Sequence, residues 1–346
     1  MSLLTDSNST NIHALSAMLI KTPTVINPKN IFINGISLKG VKSVILIHLY
    51  IISKKVIGAA SSLDIGGPNR NNQDGINNQP ALFNLLSKKE GTEIKAYIFI
   101  TCLVDAFFPH VGESMVAVLR RIGVDLDFLE DQTCCGQPAF NSGYYSDGKI
   151  LAKRFLSIFD NDDYIVCPSG SCTSMVRIFY KELFKNDPEM HEITQRVSAK
   201  TREFSDFIVN VLNTEDVGAS FNGKVTYHDS CHLLRELKVK DEPRKLINSV
   251  KGIDFIDMSN SDTCCGFGGT FSTKFPDVSV SILDEKIENI TNTGVDAVIS
   301  GDMGCLMQIG GALRRRKIPI KTMHLAELLA SDQTQKSIID VKNERT

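Results

Sequence analysis

From Lys95 onward the apolar positions change period in an order that repeats. Residues 96–101 (AYIFIT) form an apolar run of strand length ending at Cys102, and Val111, Met115, Val118, Leu119 and Ile122 then recur at helical spacing. Val124, Leu126 and Phe128 alternate as a second strand, residues 145–159 carry a second helical pattern, and Tyr164 to Cys167 is a third strand before a helix opening at Ser169-Gly170-Ser171-Cys172. Residues 188–212 read as one long connecting helix starting at Asp187-Pro188. The cycle then restarts, with strands at 224–228, 253–258 and 297–299, helices at 245–250, 278–292 and from Gly304, and closing elements at 320–323 and 325–329. Such alternation predicts an α/β fold of two pseudo-repeated Rossmann-like domains, each a mostly parallel sheet with helices on its faces.

The cysteines repeat with the elements. Thr133-Cys134-Cys135-Gly136 is echoed by Thr263-Cys264-Cys265-Gly266, with Cys102 and Cys231 upstream and Cys172 and Cys305 downstream. The two patterns, Cys-x31-Cys-Cys-x36-Cys and Cys-x32-Cys-Cys-x39-Cys, place eight of the nine cysteines in matched quartets, leaving Cys167 in an apolar strand as a structural residue. Every cysteine site falls just past a strand's carboxyl end, the edge where open parallel sheets bind ligands, so four thiols per half converge there. Cys172 and Cys305 stand at helix starts, where backbone N–H groups favour thiolate.

Composition narrows the chemistry. A chain of 346 residues, 42% hydrophobic and with net charge -2, holds two cores and lacks the basic face of a nucleic-acid binder. The run Arg314-Arg315-Arg316-Lys317 reads as a solvated helix end. The N-terminus shows no secretory signal, which implies a cytoplasmic setting where thiols stay reduced and serve metals or redox chemistry. Residues 1–94 form a Ser/Thr/Asn-rich, poorly ordered extension; its densest apolar stretch, residues 44–52, is far shorter than the roughly 20 residues a membrane span requires. The expected domains are 95–220 and 221–332, followed by a tail over 333–346.

For each quartet, zinc and an iron–sulfur cluster compete. Zinc sites favour spaced pairs, and adjacent cysteines are expected to point apart. A cluster several ångströms across accepts adjacent thiolates on different irons. His228 and His232 flank Cys231 as further donors or simple hydrogen-bonding residues. Asn141-Ser142-Gly143 and Thr270-Phe271-Ser272 follow the two pairs and are expected to hydrogen-bond their own cluster loops. Gly266-Phe267-Gly268-Gly269 lacks a dinucleotide fingerprint, and no Ser-His-Asp set or paired carboxylates stand out.

The doubled motif resembles the cysteine-rich CCG domain found in the heterodisulfide reductases and in the glycolate oxidase iron–sulfur subunit. The stretches FITCLVD (99–105), CCGQPA (134–139), PSGSCT (168–173), DFIVN (206–210), TCCGFGGTFS (263–272) and MHLAE (323–327) are more narrowly similar to the lactate utilisation protein A family. That resemblance implies an oxidoreductase subunit of an L-lactate-oxidising complex, turning lactate into pyruvate and passing electrons through cysteine-bound clusters. It implies up to two iron–sulfur clusters, [4Fe–4S] or a variant, held by Cys102, Cys134, Cys135 and Cys172 and by Cys231, Cys264, Cys265 and Cys305. The implied partners are a ferredoxin-like iron–sulfur subunit and a third lactate-utilisation subunit. Met175 and Gln308 stand where the heterodisulfide reductases have their fifth thiolate. Thiol–disulfide chemistry of that kind and a zinc-stabilised assembly scaffold remain the alternatives.

Overall fold

The computed structural model describes residues 94–332, together with a short antiparallel ladder pairing Phe32–Ile33 with Ile36–Ser37. The expectations for the extension ahead of Ile94 and for the tail over 333–346 otherwise lie outside the described residues.

The first half runs β1 (Lys95–Ile98), α1 (Cys102–Phe107), α2 (Pro109–Arg121), β2 (Asp125–Asp127), α3 (Gln137–Asn141), α4 (Tyr145–Phe159), β3 (Tyr164–Cys167) and α5 (Gly170–Ser174). A π turn, Met175–Phe179, carries α5 into α6 (Tyr180–Leu183), followed by α7 (Pro188–Lys200), β4 (Thr201–Glu203) and α8 (Phe204–Asp206). The second half runs β5 (Ser220–Tyr227), α9 (Asp241–Asn248), β6 (Lys251–Phe255), α10 (Phe271–Lys274), α11 (Pro276–Thr291), β7 (Ala297–Ser300), α12 (Met303–Arg315), β8 (Lys321–His324) and α13 (Leu325–Ala330). Both four-stranded sheets are parallel throughout, ordered β2-β1-β3-β4 and β6-β5-β7-β8. The repeat in the cysteines is thus a repeat of topology.

The segment 188–212 is not one helix. α7 ends at Lys200, and Thr201–Glu203 joins the sheet beside β3, pairing Ile165 with Thr201 and Cys167 with Glu203. Three residues are too few to show an alternating pattern, and sheet pairing outweighs the weak local preference for helix. The Glu203 carboxylate then caps the next turn by accepting from the N–H groups of Ser205 and Asp206.

Corresponding helices bury corresponding positions. Gly148, Ala152, Phe155, Leu156 and Phe159 of α4 match Ser279, Leu283, Lys286, Ile287 and Ile290 of α11 at identical spacing. The halves share one continuous apolar cluster, running from Ala96 and Val118 to Val225 and Leu329. α13, last in sequence, packs on α2 of the first half. Arg121 secures that contact by donating to the carbonyls of Val217, Leu329 and Ala330. Each fully buried Leu of α13 contributes roughly 1.5–3 kcal/mol, so the two sheets are held as one packed body.

In this strand order the chain reverses its direction of travel across the sheet between the first and third strands, opening a crevice at their carboxyl ends. The two crevices face each other. Gly170 N–H donates to Gly301 O at 3.4 Å, Ser171 N–H to Asp302 Oδ2 at 3.0 Å, and the His324 ring meets Pro168 O at 3.1 Å.

Candidate metal centre

All eight repeat cysteines line one cavity of about 230 Å³ between the facing crevices. Cys102 begins α1 past β1, Cys172 lies in α5 past β3, and Cys134-Cys135 occupy the loop between β2 and α3; the second half repeats this placement with Cys231, Cys305 and Cys264-Cys265. Within the first quartet Cys102 Sγ lies 3.7 Å from Cys134 Sγ and Cys135 Sγ 3.4 Å from Cys172 Sγ. Cys134, Cys135, Cys172, Cys265 and Cys305 are buried, the other three half-buried, and all are free thiols. Cys167 does not line the cavity; its thiol is fully buried and donates to Ser169 O at 3.6 Å.

Adjacent cysteines do not diverge. Both cysteines of each pair line the cavity, and Gly136 and Gly266, at φ +84° and +80°, turn the backbone directly after them. In the same turn each glycine N–H points at the sulfur two residues earlier, Cys134 Sγ at 3.5 Å and Cys264 Sγ at 3.3 Å. A side chain at Gly266 would bring its Cβ to 2.4 Å from Ser279 O. Tyr180 Oη, donating to Cys135 O at 2.8 Å, and Gln137 Nε2, donating to Ser171 O at 3.0 Å, tie the first pair to its downstream helix.

One sulfur in each quartet is favoured as thiolate. Hydrogen bonds from Cys102, then from Cys135, hold Cys134 well below the usual thiol value against burial. The corresponding bonds from Cys231 and Cys265 take Cys264 down to about 2. Their donors are correspondingly pushed up, Cys102 and Cys135 on one side and Cys231 and Cys265 on the other. The helix-start argument does not hold for Cys305: its hydrogen bond with Cys265 lowers the thiol's pKa, but burial together with the charges of Asp302 and Cys264 outweighs it and the net direction is up. The thiolate is favoured in the loops at Cys134 and Cys264, where sulfur accepts from sulfur and backbone, rather than at the start of α12.

Asp302 is the residue here that sequence reasoning missed, and the partners of the others across the halves carry no local sequence signal. Ser169 and Asp302 hold equivalent N-cap positions of α5 and α12 and face each other, Ser169 Oγ donating to Asp302 Oδ2 at 3.1 Å while Asp302 Oδ1 accepts from Gly304 N–H at 3.0 Å. Ser142 and Thr270 share a hydrogen bond at 3.1 Å. Those two loops therefore hydrogen-bond each other across the halves, in addition to the expected bonds within their own loops. His232 lines the cavity with Nδ1 3.5 Å from Cys231 Sγ. His228 lies behind the cysteines, fully buried; burial, then the charge of Lys286, lowers its pKa to about 4, so the imidazole is neutral near pH 7.

Glu203 stands at the junction of the halves, its Oε1 without a hydrogen-bond partner and facing Gly301. Burial raises its pKa to about 8 despite hydrogen bonds from Ser205 and Asp206. A raised carboxyl pKa contributes stability that is fully present below the ordinary value of 4.5 and lost as pH rises through 8. Glu203→Gln is therefore expected to change the melting temperature little at pH 5, to raise it progressively between pH 5 and 8, and to give a constant gain above that. A difference independent of pH would refute the assignment.

Eight convergent thiols, five of them buried, form a donor set that suits a soft-ligand metal centre. A family model described as the CCG cysteine-rich domain matches residues 96–177 and 225–310, one match per half. The fold and its paired thiol sites thus define a double CCG cysteine-rich protein of parallel α/β architecture. Lactate utilization protein A 2 from Bacillus cereus (strain 03BB102) is 48% identical over 237 residues, 68% of this chain and 98% of that protein. Lactate utilization protein A from Geobacillus thermodenitrificans (strain NG80-2) is 48% identical over 236 residues, with the same shares. The chain belongs to the lactate utilization protein A family. Among solved structures, a hypothetical protein from Helicobacter pylori aligns at 14% identity with TM-score 0.49, covering 76% of this chain and 55% of that one. No helix among the described residues is long and apolar enough to cross a membrane.

Proposed function

We propose that this chain is the iron–sulfur electron-transfer subunit of an L-lactate-oxidising complex, with one cluster on Cys102, Cys134, Cys135 and Cys172 and another on Cys231, Cys264, Cys265 and Cys305. The observation that carries the reading is the meeting of two all-thiol quartets in one cavity at facing sheet crevices. The names of the relatives supply the lactate context. A cluster bound in each quartet supplies one-electron transfer. The chain's own residues hold the sulfurs, keep Cys134 and Cys264 ready as thiolates, and point the Gly136 and Gly266 N–H groups at them, contacts that tune a centre's potential. Among the described residues Asp302 is the sole carboxylate lining the cavity, and its oxygens are taken up by Ser169, Ser171 and Gly304. Proton removal from lactate is assigned in this reading to a partner subunit, with a ferredoxin-like protein receiving or delivering the electrons.

The thiol spacing favours one second reading. Sulfurs 3.4 and 3.7 Å apart match the roughly 3.8 Å edge of a tetrahedral zinc tetrathiolate with bonds of about 2.3 Å, which would make the chain an assembly scaffold. The test is iron, acid-labile sulfide and zinc content of protein purified without oxygen, with visible absorption before and after dithionite. Iron and sulfide in matching amounts, with absorption that bleaches on reduction, are expected. Stoichiometric zinc without sulfide would replace this reading with the scaffold.

A further inference from the structure

The halves differ at one place behind the cysteines. Phe99 leaves β1 with its N–H on Val166 O at 2.9 Å, and His228 leaves β5 with its own on Ile299 O at 2.8 Å. They are structural counterparts, each three residues ahead of the first cysteine of its quartet. Opposite them, Phe155 and Lys286 occupy the same buried position of α4 and α11. In the first half the pair is aromatic, Phe99 meeting Phe155 edge-on with ring centroids 4.8 Å apart. In the second half an imidazole and an ammonium stand in its place.

The ammonium is satisfied: Lys286 Nζ donates to the carbonyls of Asn260 at 3.0 Å and Ser261 at 3.1 Å. The imidazole is not. His228 is 1% exposed, and neither ring nitrogen has a hydrogen-bond partner. Packing alone does not call for a histidine here, since phenylalanine fills the equivalent space in the other half, and buried polar atoms ordinarily find a partner. A ring nitrogen of His228 and the sulfurs of Cys265 and Cys305 lie within 4.8 Å of one another. The first half has no nitrogen donor at this position.

We propose that His228 is a ligand to the metal of the second quartet, adding a nitrogen donor beside Cys265 and Cys305, so that the two halves hold chemically unlike centres. This rests on the metal-binding reading above. A neutral imidazole brings no negative charge, and Lys286 places a positive charge close to the Cys265 and Cys305 sulfurs. The imidazole leaves the charge of the four thiolates unchanged, and the positive charge of Lys286 favours the reduced state of the second centre, which therefore has the higher potential and is the electron-accepting end of the pair.

The test uses full-length protein labelled with ¹⁵N-histidine, purified without oxygen, reduced with dithionite and measured by pulsed EPR and redox titration. A strongly coupled ¹⁵N is expected in the wild type, retained in Cys135→Ser and absent in His228→Phe, which restores the counterpart residue. His228→Phe is also expected to shift the potential of one centre and leave the other unchanged. Iron and sulfide present without a coupled nitrogen in the wild type would overturn the inference and leave the iron–sulfur reading standing, and this measurement needs no variant to fold. A coupling that survives in His228→Phe would also overturn it, assigning the nitrogen to another histidine. If the metal is zinc, the iron–sulfur reading fails and the imidazole ¹⁵N shift of the same sample decides: a metal-bound shift supports ligation by His228, a free one overturns it. Protein purified with no metal overturns both.

Discussion

Protein carrying Cys135→Ser is expected to bind about half the iron and sulfide of the wild type, losing the centre of the first quartet and keeping that of the second. Cys135 is 1% exposed and contacts Cys172 at 3.4 Å, so its thiol is central to its own quartet. The groups that perturb each cysteine belong to its own half: Cys134 and Cys172 act on Cys135, while Cys264 and Cys305 act on Cys265. Serine offers a harder, poorly ionised oxygen in place of a soft thiolate, which weakens binding strongly. The second quartet, carried by a separate sheet, is expected to fill normally. Loss of all iron from this variant would show that the eight thiols form one shared site, and iron at the wild-type level would remove Cys135 from the ligand set.

Arg244→Ala is expected to be the most damaging substitution away from the cysteines. The guanidinium forms a paired contact with Asp229, Nη1 to Oδ1 at 2.9 Å and Nη2 to Oδ2 at 2.8 Å, and also reaches Asp257 and stacks over the Tyr227 ring. Asp229 is 2% exposed and lies two residues before Cys231, so this pair anchors the strand end that delivers the first thiol of the second quartet. Burial pushes the Asp229 carboxyl up, but the hydrogen bonds from Arg244 and Ser261 outweigh it and the net pKa is lowered. Removing the arginine leaves a buried carboxylate unpaired, at a cost of about 3–5 kcal/mol. For a body of this size that corresponds to a fall of roughly 10 °C in melting temperature. The pair's contribution is present above the ordinary carboxylate pKa and lost as pH falls through the lowered one, so the gap between variant and wild type is expected to narrow in acid. A double variant with Asp229→Ala should cost less than the sum of the single changes. Additive effects, or a loss below about 1 kcal/mol, would show that the pair is not a structural anchor.

Much of the architecture is carried by short-range pattern. Strand-length apolar runs ending at Cys102 and Cys167, and helical spacing through Met115 to Ile122, are set by which residues must leave water, and the structure places β1, β3 and α2 there. β4 escaped because three residues carry no period of their own and are strand only by virtue of lying beside β3. The adjacent thiols escaped because Cys134-Cys135 and Cys264-Cys265 lie in loops, where the backbone does not follow the side-chain alternation of a strand.

By itself the sequence determined that there are two parallel α/β units, that eight cysteines fall at equivalent strand ends within them, and which family the chain belongs to, because periodicity and motif spacing are properties of neighbouring residues. Only the tertiary structure decided that the two crevices face each other across one cavity, since Ser169 meets Asp302 and Ser142 meets Thr270 over separations of 133 and 128 residues. It also decided that His228 and Lys286 stand where the other half packs Phe99 against Phe155, a difference that emerges only when two sheets built from unlike residues are compared atom for atom.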